Sequence, residues 1–220
     1  TIDPVDARDF DDAISLERKD GNFVLGVHIA DVSRFVAYDS SLDMDARRRA
    51  TSVYLVDRVL PMLPEKLSNG LCSLMPEEDR CTISVKVELS PGGSVLSYEV
   101  FPSVIRSKAR LSYDQAQAIL EASNRSCSVG QCVSDETVHA LIDRVPKLDT
   151  LAKALFSRRK KDGCMDFDRV EAKAKLDGEG HPLEITYRRR TAATELIEEA
   201  MILANSLVAQ WLTEIGLPCV

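Results

Sequence analysis

Alternating apolar and polar residues, interrupted by short turn signals, constrain the fold of this chain more than any other feature of its sequence. Asp20 and Gly21 separate two such runs, and Pro91, Gly92 and Gly93 separate two more. The runs cover residues 13–16, 22–29, 82–89 and 95–105. Because D-G and G-G pairs favour tight reversals between strands, the first half is predicted to form two antiparallel hairpins.

Helical patterns become frequent later in the chain. Ser112 is a suitable N-cap for the helix-like run that follows it, and residues 135–159 and 191–215 carry apolar residues at helical spacing. A third hairpin is predicted over residues 173–187, with its turn at Asp177 and Gly178. Shorter segments are predicted to be helical at 41–50, extended at 52–59 and an exposed loop at 123–134. The expected class is α+β, with antiparallel strands and hairpins in the first half and helices packed on them.

Composition excludes several classes of protein. The 220 residues are 45% hydrophobic and 29% charged, as in folded globular domains. The net charge of −7 argues against a surface that wraps nucleic acid by bulk electrostatics. No apolar run is long enough to span a membrane, and residues 1–6 lack the pattern of a signal peptide, so we expect a cytoplasmic protein without a membrane segment. The six cysteines form no C-x-x-C pair, which favours buried free thiols over a zinc site.

The strongest chemical feature is a group of aspartates near the start of the chain, at Asp3, Asp9, Asp11 and Asp12, with Asp6 close by. Carboxylates that converge raise one another's pKa and resist burial unless a cation compensates their charge. Oxygen ligands without His or Cys select a hard ion, so Mg²⁺ is the first expectation and Mn²⁺ the second.

Three other interpretations of these aspartates exist. A solvated acidic loop is the common one for a bare D-x-D-D motif. An EF-hand loop beginning at Asp9 fits badly, because Ala13 falls on a ligand position and Ile14 on the position of the turn glycine. A haloacid-dehalogenase-type motif requires an apolar strand before the first aspartate, whereas Ala7 and Arg8 precede Asp9.

Two other polar features give weaker signals. Basic runs could line a channel for a nucleic-acid backbone, although such runs are more often solvated faces. They lie at residues 47–49, 158–161 and 188–190. His28 lies in a strand-like segment, where packing or hydrogen bonding is a more frequent role than that of a catalytic base.

Read with its flanks, the aspartate motif resembles the opening motif of the RNB family, the RNase R and RNase II group of exoribonucleases. Four further segments resemble family blocks in the family's order, and the resemblance is closer to RNase R-like members. They are HIADVSRFV, TSVYLVDRVLPMLPEKLSNGLCSL, IRSKARLSYDQAQAIL and LIEEAMILAN. The resemblance implies an α+β catalytic domain, of which residues 1–220 would be the N-terminal and central part. It also implies a processive 3′→5′ hydrolase that releases nucleoside 5′-monophosphates.

By the same resemblance, Mg²⁺ would be bound by Asp3, Asp9, Asp11 and Asp12. In a two-metal hydrolysis one ion activates a water and the other stabilises the leaving oxygen. Asp11 and Asp12 are the expected catalytic residues, because adjacent carboxylates can address different ions, and Asp11 is expected to be the more critical.

The resemblance also assigns contacts to an RNA 3′ end. Tyr54 and Phe167 match aromatic residues that stack on bases, a contact that tolerates any base. Tyr113 and Glu198, with Glu199 as the neighbouring candidate, match positions that contact the sugar, where a 2′-hydroxyl distinguishes RNA from DNA. Without the resemblance, Tyr54 would be a half-buried strand residue, Tyr113 a packing residue at the helix entry and Glu198 part of a solvated helix face.

The family's catalytic domain continues past the matched region, and OB-type RNA-binding domains are expected elsewhere in the parent chain. The 220 residues alone are therefore expected to bind metal weakly and to cleave RNA poorly. Two alternatives remain: a noncatalytic RNB module that binds RNA or a partner, and a metal-dependent phosphodiesterase or phosphatase for small molecules. All four aspartates are present, which disfavours the first, and stacking aromatics with sugar-reading positions disfavour the second.

Overall fold

The computed structural model describes residues 1–124, 141–165, 170–179 and 181–219. The described strands are β1 (Ile2–Asp3), β2 (Asp12–Lys19), β3 (Asn22–Ala30), β4 (Val53–Tyr54), β5 (Val59–Leu60), β6 (Asp79–Leu89), β7 (Val95–Arg106), β8 (Leu111–Ser112), β9 (Val170–Leu176) and β10 (Pro182–Arg189). The largest sheet has four antiparallel strands in the order β2-β3-β6-β7. The α+β class is confirmed, as are the hairpins β2–β3, β6–β7 and β9–β10.

Local backbone chemistry explains the two turns in the large sheet. Asp20 and Gly21 both have positive φ, at 51° and 86°, as a tight turn between twisted strands requires. Gly93, at φ 77°, lies against the helix that contains Ala154, and a Cβ atom at position 93 would stand 3.3 Å from the backbone carbon of Ala154. A side chain at position 93 would therefore meet both a strained conformation and the helix backbone.

The described α-helices are α1 (Ser41–Arg49), α2 (Tyr113–Asn124), α3 (Val145–Lys161) and α4 (Ala192–Glu214). Side chains cap the N-termini of α1, α2 and α4, whereas α3 has no side-chain cap. Ser112 Oγ accepts a hydrogen bond from the Gln115 amide, and Gln115 Oε1 accepts one from the Ser112 amide, so the predicted N-cap is confirmed as a reciprocal box. Thr191 and Thr194 form a similar capping box at α4. In the ranges that the structure describes, no helix is both long and apolar enough to cross a membrane.

The main hydrophobic core lies between the large sheet and helices α2, α3 and α4. Its fully buried members include Leu25, Val87, Ile119, Leu151 and Leu196. A second, smaller cluster lies beneath the aspartate segment and is built by Phe10, Ala13, Ala30, Cys72 and Leu74. The aspartates therefore lie on a packed base rather than on an isolated loop.

Several local predictions were wrong in detail. Residues 52–59 do not form one extended run, because the chain reverses between β4 and β5, where the Leu55 amide donates to the Arg58 carbonyl. Residues 141–144 form a turn and helix α3 begins at Val145, whereas residues 135–140 of the predicted helical segment lie outside the described ranges. Pro146 fits the first turn of α3 because an amide there would lack a helical partner. Ser123 and Asn124 belong to α2 instead of a loop, while residues 125–134 lie outside the described ranges.

The cysteine prediction was only partly right. Cys72 is buried, whereas Cys81 and Cys164 are half-buried and Cys219 is exposed, and all four are free thiols. Cys127 and Cys132 lie outside the described residues. Exposure of a cysteine depends on which strand or helix face it occupies, and spacing in the sequence does not give that face.

Candidate functional site

The acidic loop, defined here as residues 3–12, runs between two strands. At its start β1 pairs in parallel with β8, so that Asp3 lies opposite Ser112. At its end Asp12 is the first residue of β2, opposite Ile29 of β3. The aspartates at the two ends are therefore fixed to different parts of the molecule before any ligand is considered.

Arg110 fixes the first part of the acidic loop. Its Nη2 donates to the carbonyl oxygens of Pro4 and Val5, at 2.8 and 2.7 Å. Its guanidinium also lies 5.3 Å from the centre of the Phe10 ring, within the range of a cation–π interaction. Two carbonyl groups of the acidic loop are thus held by a charged donor.

Ser73 and its neighbours fix the second part. Ser73 is fully buried, and its Oγ accepts from the Phe10 amide at 3.0 Å and donates to the Arg8 carbonyl at 2.9 Å. The Leu74 amide donates to the Phe10 carbonyl, and the Ala30 amide donates to that of Asp11, each at 2.9 Å. These contacts hold the loop as an ordered structure, which does not fit the interpretation as a solvated acidic loop.

The carboxylates of the loop are unequally exposed and electrostatically coupled. Asp3 is buried, Asp9 and Asp12 are half-buried, and Asp11 is exposed. Burial, followed by the charges of Asp3 and Asp11, raises the pKa of Asp12 to about 6. Partial loss of hydration and the charges of Asp9 and Asp3 also raise the pKa of Asp11. The four aspartates therefore share one field of negative potential.

At the buried Asp3, nearby positive groups partly offset the effect of burial on the pKa of the carboxyl group. Burial raises its pKa, while the hydroxyl of Thr1, the amino terminus and Arg110 lower it. One oxygen of Asp3 and one of Asp12, both Oδ2, are buried without a hydrogen-bond partner. Buried polar atoms of this kind call for an explanation, and a cation is one that satisfies both atoms.

The donor chemistry of the loop fits a divalent cation. All candidate donors are carboxylate oxygens, two of them buried and unpartnered, which is the set that Mg²⁺ or Mn²⁺ prefers. Among the described residues, no three carboxylate, imidazole or thiol groups already lie close enough to enclose an ion. The ligand set Asp3, Asp9, Asp11 and Asp12 therefore stays a prediction, as does the assignment of the ion.

Tyr54 lies beside the acidic loop. Its hydroxyl donates to Asp9 Oδ2 at 3.1 Å, although the two residues are 45 positions apart. Its side chain is 67% exposed, so most of the ring is open to solvent. Partial burial and the charge of Asp9 raise the pKa of the phenol, which stays protonated at neutral pH. An exposed ring thus stands next to the carboxylates.

Tyr113 and Phe167 are less informative. Tyr113 is the first residue of α2, directly after Ser112, and it is partly buried against the main core. Packing against the main core is the role of Tyr113 that the structure shows. Its predicted contact with the sugar stays a prediction. Phe167 lies outside the described residues, so its predicted stacking role also stays a prediction.

Glu198 and Glu199 are neighbours on α4 but lie in different environments. Glu199 is 2% exposed, and both of its carboxylate oxygens are held by Arg159, at 2.5 and 3.0 Å. Glu198 is about half exposed and pairs with Arg190. Only Glu198 can therefore meet a ligand without the loss of a buried ion pair.

Several of the remaining polar candidates are engaged within the chain. Arg47 pairs with Asp39 and Asp43, and Arg49 pairs with Asp45, as in a solvated helix face. His28 hydrogen-bonds through Nε2 with Ser15 Oγ and through Nδ1 with Ser84 Oγ. Burial lowers the pKa of this histidine. The hydrogen-bonding role predicted for His28 is confirmed.

Neither Arg110 nor Ser73 was predicted from the sequence to be part of the site. Both act through contacts to backbone atoms of the acidic loop that are at least 63 positions away in sequence. The two residues have no local pattern of their own, since a serine or arginine in a loop is ordinary. Only the tertiary structure reveals them.

Comparisons with known proteins agree with this architecture. The RNB domain matches residues 1–220. The chain is 45% identical over 219 residues to Ribonuclease R of Thermotoga maritima, covering 99% of this chain and 30% of that protein. It is 43% identical over 219 residues to Ribonuclease R 1 of Lactococcus lactis, covering 99% of this chain and 26% of that protein. The chain thus spans less than a third of the curated relatives' length.

A solved structure supports the same assignment. RNase R of Mycoplasma genitalium, in complex with double-stranded RNA, superposes with a TM-score of 0.88 at 33% identity. The match covers 99% of this chain and 37% of that protein. Since the domain match extends over all 220 residues, the chain belongs to the RNB domain family.

Proposed function

We propose that this chain forms the metal-binding, substrate-contacting part of an RNA hydrolase that works from the 3′ end. The protein would degrade single-stranded RNA processively to nucleoside 5′-monophosphates with Mg²⁺, or Mn²⁺ in its place. The observation that carries the proposal is the acidic loop, in which two buried carboxylate oxygens lack partners and an exposed tyrosine touches a third carboxylate. The cytoplasm is the compartment expected for such an enzyme.

Different residues of the chain would bind the cations, hold the backbone and contact the RNA. Asp3, Asp9, Asp11 and Asp12 would hold the cations, and Arg110 and Ser73 would keep the backbone between them in place. When bound, the ions would supply an activated water and stabilise charge on the leaving 3′ oxygen. The exposed ring of Tyr54 would stack on a base close to the carboxylates, a contact worth about 1–3 kcal/mol for any base.

Relatives support RNA as the ligand. RNase R of Mycoplasma genitalium has been solved with ribose methylated single-stranded RNA as well as with double-stranded RNA. Because the chain spans about 30% of the length of its relatives, further domains of the OB type would supply much of the RNA affinity. The 220 residues alone should therefore cleave RNA poorly.

The test is digestion of a 5′-labelled oligoribonucleotide by the full-length protein, with a matched DNA strand. Asp11→Asn should lower the rate by more than about 100-fold, because the variant loses a carboxylate beside the reacting phosphate. The matched control is Asp79→Asn, which removes an exposed carboxylate paired with Arg106 and should leave the rate unchanged.

The outcomes separate the candidate functions. A shortening ladder on RNA alone, abolished by EDTA and by Asp11→Asn, would support the proposal. RNA binding without any digestion by the natural protein would favour a noncatalytic module. Hydrolysis of small phosphodiesters in preference to oligonucleotides would favour a small-molecule enzyme.

A further inference from the structure

The hydroxyl of Tyr54 joins the β4–β5 hairpin to a carboxylate of the acidic loop. It donates a hydrogen bond to Asp9 Oδ2 at 3.1 Å. Among the residues that the structure describes, the other oxygen of this carboxylate, Oδ1, accepts no hydrogen bond and forms no ion pair. Asp9 therefore keeps one oxygen for a ligand while a neutral donor holds the other.

The backbone on both sides of Asp9 is fixed by a single atom. Ser73 Oγ accepts from the Phe10 amide at 3.0 Å and donates to the Arg8 carbonyl at 2.9 Å. Ser73 is itself fully buried, so this atom is a firm anchor. With the backbone held in this way, the orientation of the Asp9 side chain is the freedom that remains, and the Tyr54 hydroxyl restricts it.

A hydrogen bond of this kind matters at a cation site. Carboxylates that bind a metal ion are oriented by hydrogen bonds from neighbouring side chains, and loss of such a partner typically lowers metal affinity about 10- to 100-fold. A hydroxyl donor orients a carboxylate without neutralising its charge. Competition between the hydroxyl and the ion is the alternative effect. The unengaged Oδ1 of Asp9 favours positioning, because the ion and the hydroxyl can then use different oxygens.

The ring of Tyr54 belongs to a weakly anchored segment. The strands β4 and β5 have two residues each, and their side chains are 44–67% exposed. An ion that fixes Asp9 would therefore restrict the ring through the hydroxyl. A base stacked on the ring would restrict Asp9 in return, because coupling between two binding sites is reciprocal.

We propose that Tyr54 is a positioning residue of the cation site, whose hydroxyl orients the Asp9 carboxylate and thereby couples cation binding at the acidic loop to base stacking on its ring. This inference rests on the proposed function and deepens it, since metal affinity and RNA affinity then depend on one side chain. Asp9 Oδ1 would bind the cation, and Oδ2 would stay with the hydroxyl.

The first test measures the affinity of the full-length protein for Mn²⁺ without RNA, from the electron paramagnetic resonance signal of the free ion. Tyr54→Phe and Tyr54→Ala should both raise the Kd about tenfold, because both lack the hydroxyl. Tyr98→Phe is the matched control. It removes a hydroxyl that hydrogen-bonds with Glu214, a carboxylate outside the acidic loop, and should leave the Kd unchanged.

Two outcomes of this first test would overturn the inference. A Kd raised by Tyr54→Ala but not by Tyr54→Phe would mean that the ring, and not the hydroxyl, supports the site. A lower Kd in Tyr54→Phe would mean that the hydroxyl competes with the ion for Asp9.

The second test adds RNA and measures the ratio of the Mn²⁺ Kd values without and with it. The probe is a single-stranded oligoribonucleotide methylated at every ribose, the kind of RNA bound in a structure of Mycoplasma genitalium RNase R. Contacts between the ion and RNA phosphates contribute to the ratio in every variant. The ratio should therefore fall in Tyr54→Phe without vanishing, about fivefold, and should not change in Tyr98→Phe. An equal ratio in Tyr54→Phe and the natural protein would overturn the coupling.

The results separate this inference from the proposed function. A natural protein that binds Mn²⁺ and RNA without hydrolysis would contradict the proposed function, while the Mn²⁺ Kd values would still decide the role of the hydroxyl. Hydrolysis of RNA by the natural protein, with the same Mn²⁺ Kd in Tyr54→Phe, would support the proposed function and overturn this inference. In EDTA, where no ion is bound, RNA affinity should fall in Tyr54→Ala but not in Tyr54→Phe.

Discussion

The acidic loop and the β4–β5 hairpin meet at one hydrogen bond, yet they are held by very different means. The loop is anchored by β8, Arg110, Ser73 and the amides of β3 and residue 74. The hairpin consists of two strands of two residues each, whose side chains are 44–67% exposed. Besides the contact from Tyr54 to Asp9, its flanks are tied by Arg49 to the Pro61 carbonyl and by Ser52 to the Met62 amide.

In the proposed function, this difference would correspond to two kinds of chemistry. Bound cations demand ligands at fixed distances, and backbone held in place by distant residues would keep the carboxylates at such distances. Stacking on a base tolerates small displacements, because every base offers a flat face. A short two-stranded ribbon is marginal on its own, which a stacking residue can tolerate but a metal ligand cannot.

The largest effect is expected from removal of Arg110, an anchor of the acidic loop. Arg110→Ala leaves the carbonyl groups of Pro4 and Val5 without their donor and removes the contact with Phe10, so we expect a loss of about 3 kcal/mol in the free energy of unfolding. Urea denaturation of the metal-free chain measures this loss, with Arg106→Ala as the exposed control. A loss below about 0.5 kcal/mol would contradict the anchoring role of Arg110.

Much of the fold could be predicted from local patterns. The D-G turn between β2 and β3 and the P-G-G turn between β6 and β7 fixed both long hairpins, because turn residues and strand alternation act over short distances. The prediction of one extended segment at 52–59 was wrong, because its β-branched residues favour extended backbone wherever they occur and do not reveal a turn. The chain reverses so that Val53 pairs with Leu60. Prediction of this pairing would require knowing that the two ends of the segment lie side by side.

The site could be predicted only in outline. The aspartates are close in sequence, so their grouping was evident, but the anchors that shape the loop come from residues such as Ser73 and Arg110. Glu198 and Glu199 could not be distinguished, since adjacent helix positions point about 100° apart and packing decides which one is buried. The structure buries Glu199 and leaves Glu198 exposed.

A second prediction concerns the pH dependence of the loop without metal. The pKa of Asp12 is raised from 3.8 to about 6, so the folded protein binds the proton more tightly than the unfolded chain does. This contribution to stability is fully present below pH 3.8 and is lost as the pH rises through 6. The shift corresponds to about 3 kcal/mol, which partial solvation of the carboxylate reduces to about 2 kcal/mol.

Denaturation of the metal-free chain at several pH values measures this slope. Asp12→Asn should flatten it between pH 4 and 7, because the amide has no charge to bury. Asp79→Asn, at an exposed ion pair, should retain it. If the natural chain became more stable as the pH rose across this interval, the burial of Asp12 would be less costly than the structure indicates.

The smallest effect is expected from substitution of Tyr54, which belongs to the weakly anchored β4–β5 hairpin. Tyr54→Ala should weaken binding of a single-stranded oligoribonucleotide to the full-length protein by about 1 kcal/mol, through loss of ring stacking. The same change should alter the free energy of unfolding by less than about 0.5 kcal/mol, because the side chain is largely exposed. Tyr54→Phe keeps the ring and loses only the hydroxyl that donates to Asp9, so it should bind RNA almost normally. If Tyr54→Phe bound as weakly as Tyr54→Ala, the hydrogen bond to Asp9 would matter more than the ring, and the hairpin would act as a further anchor of the acidic loop.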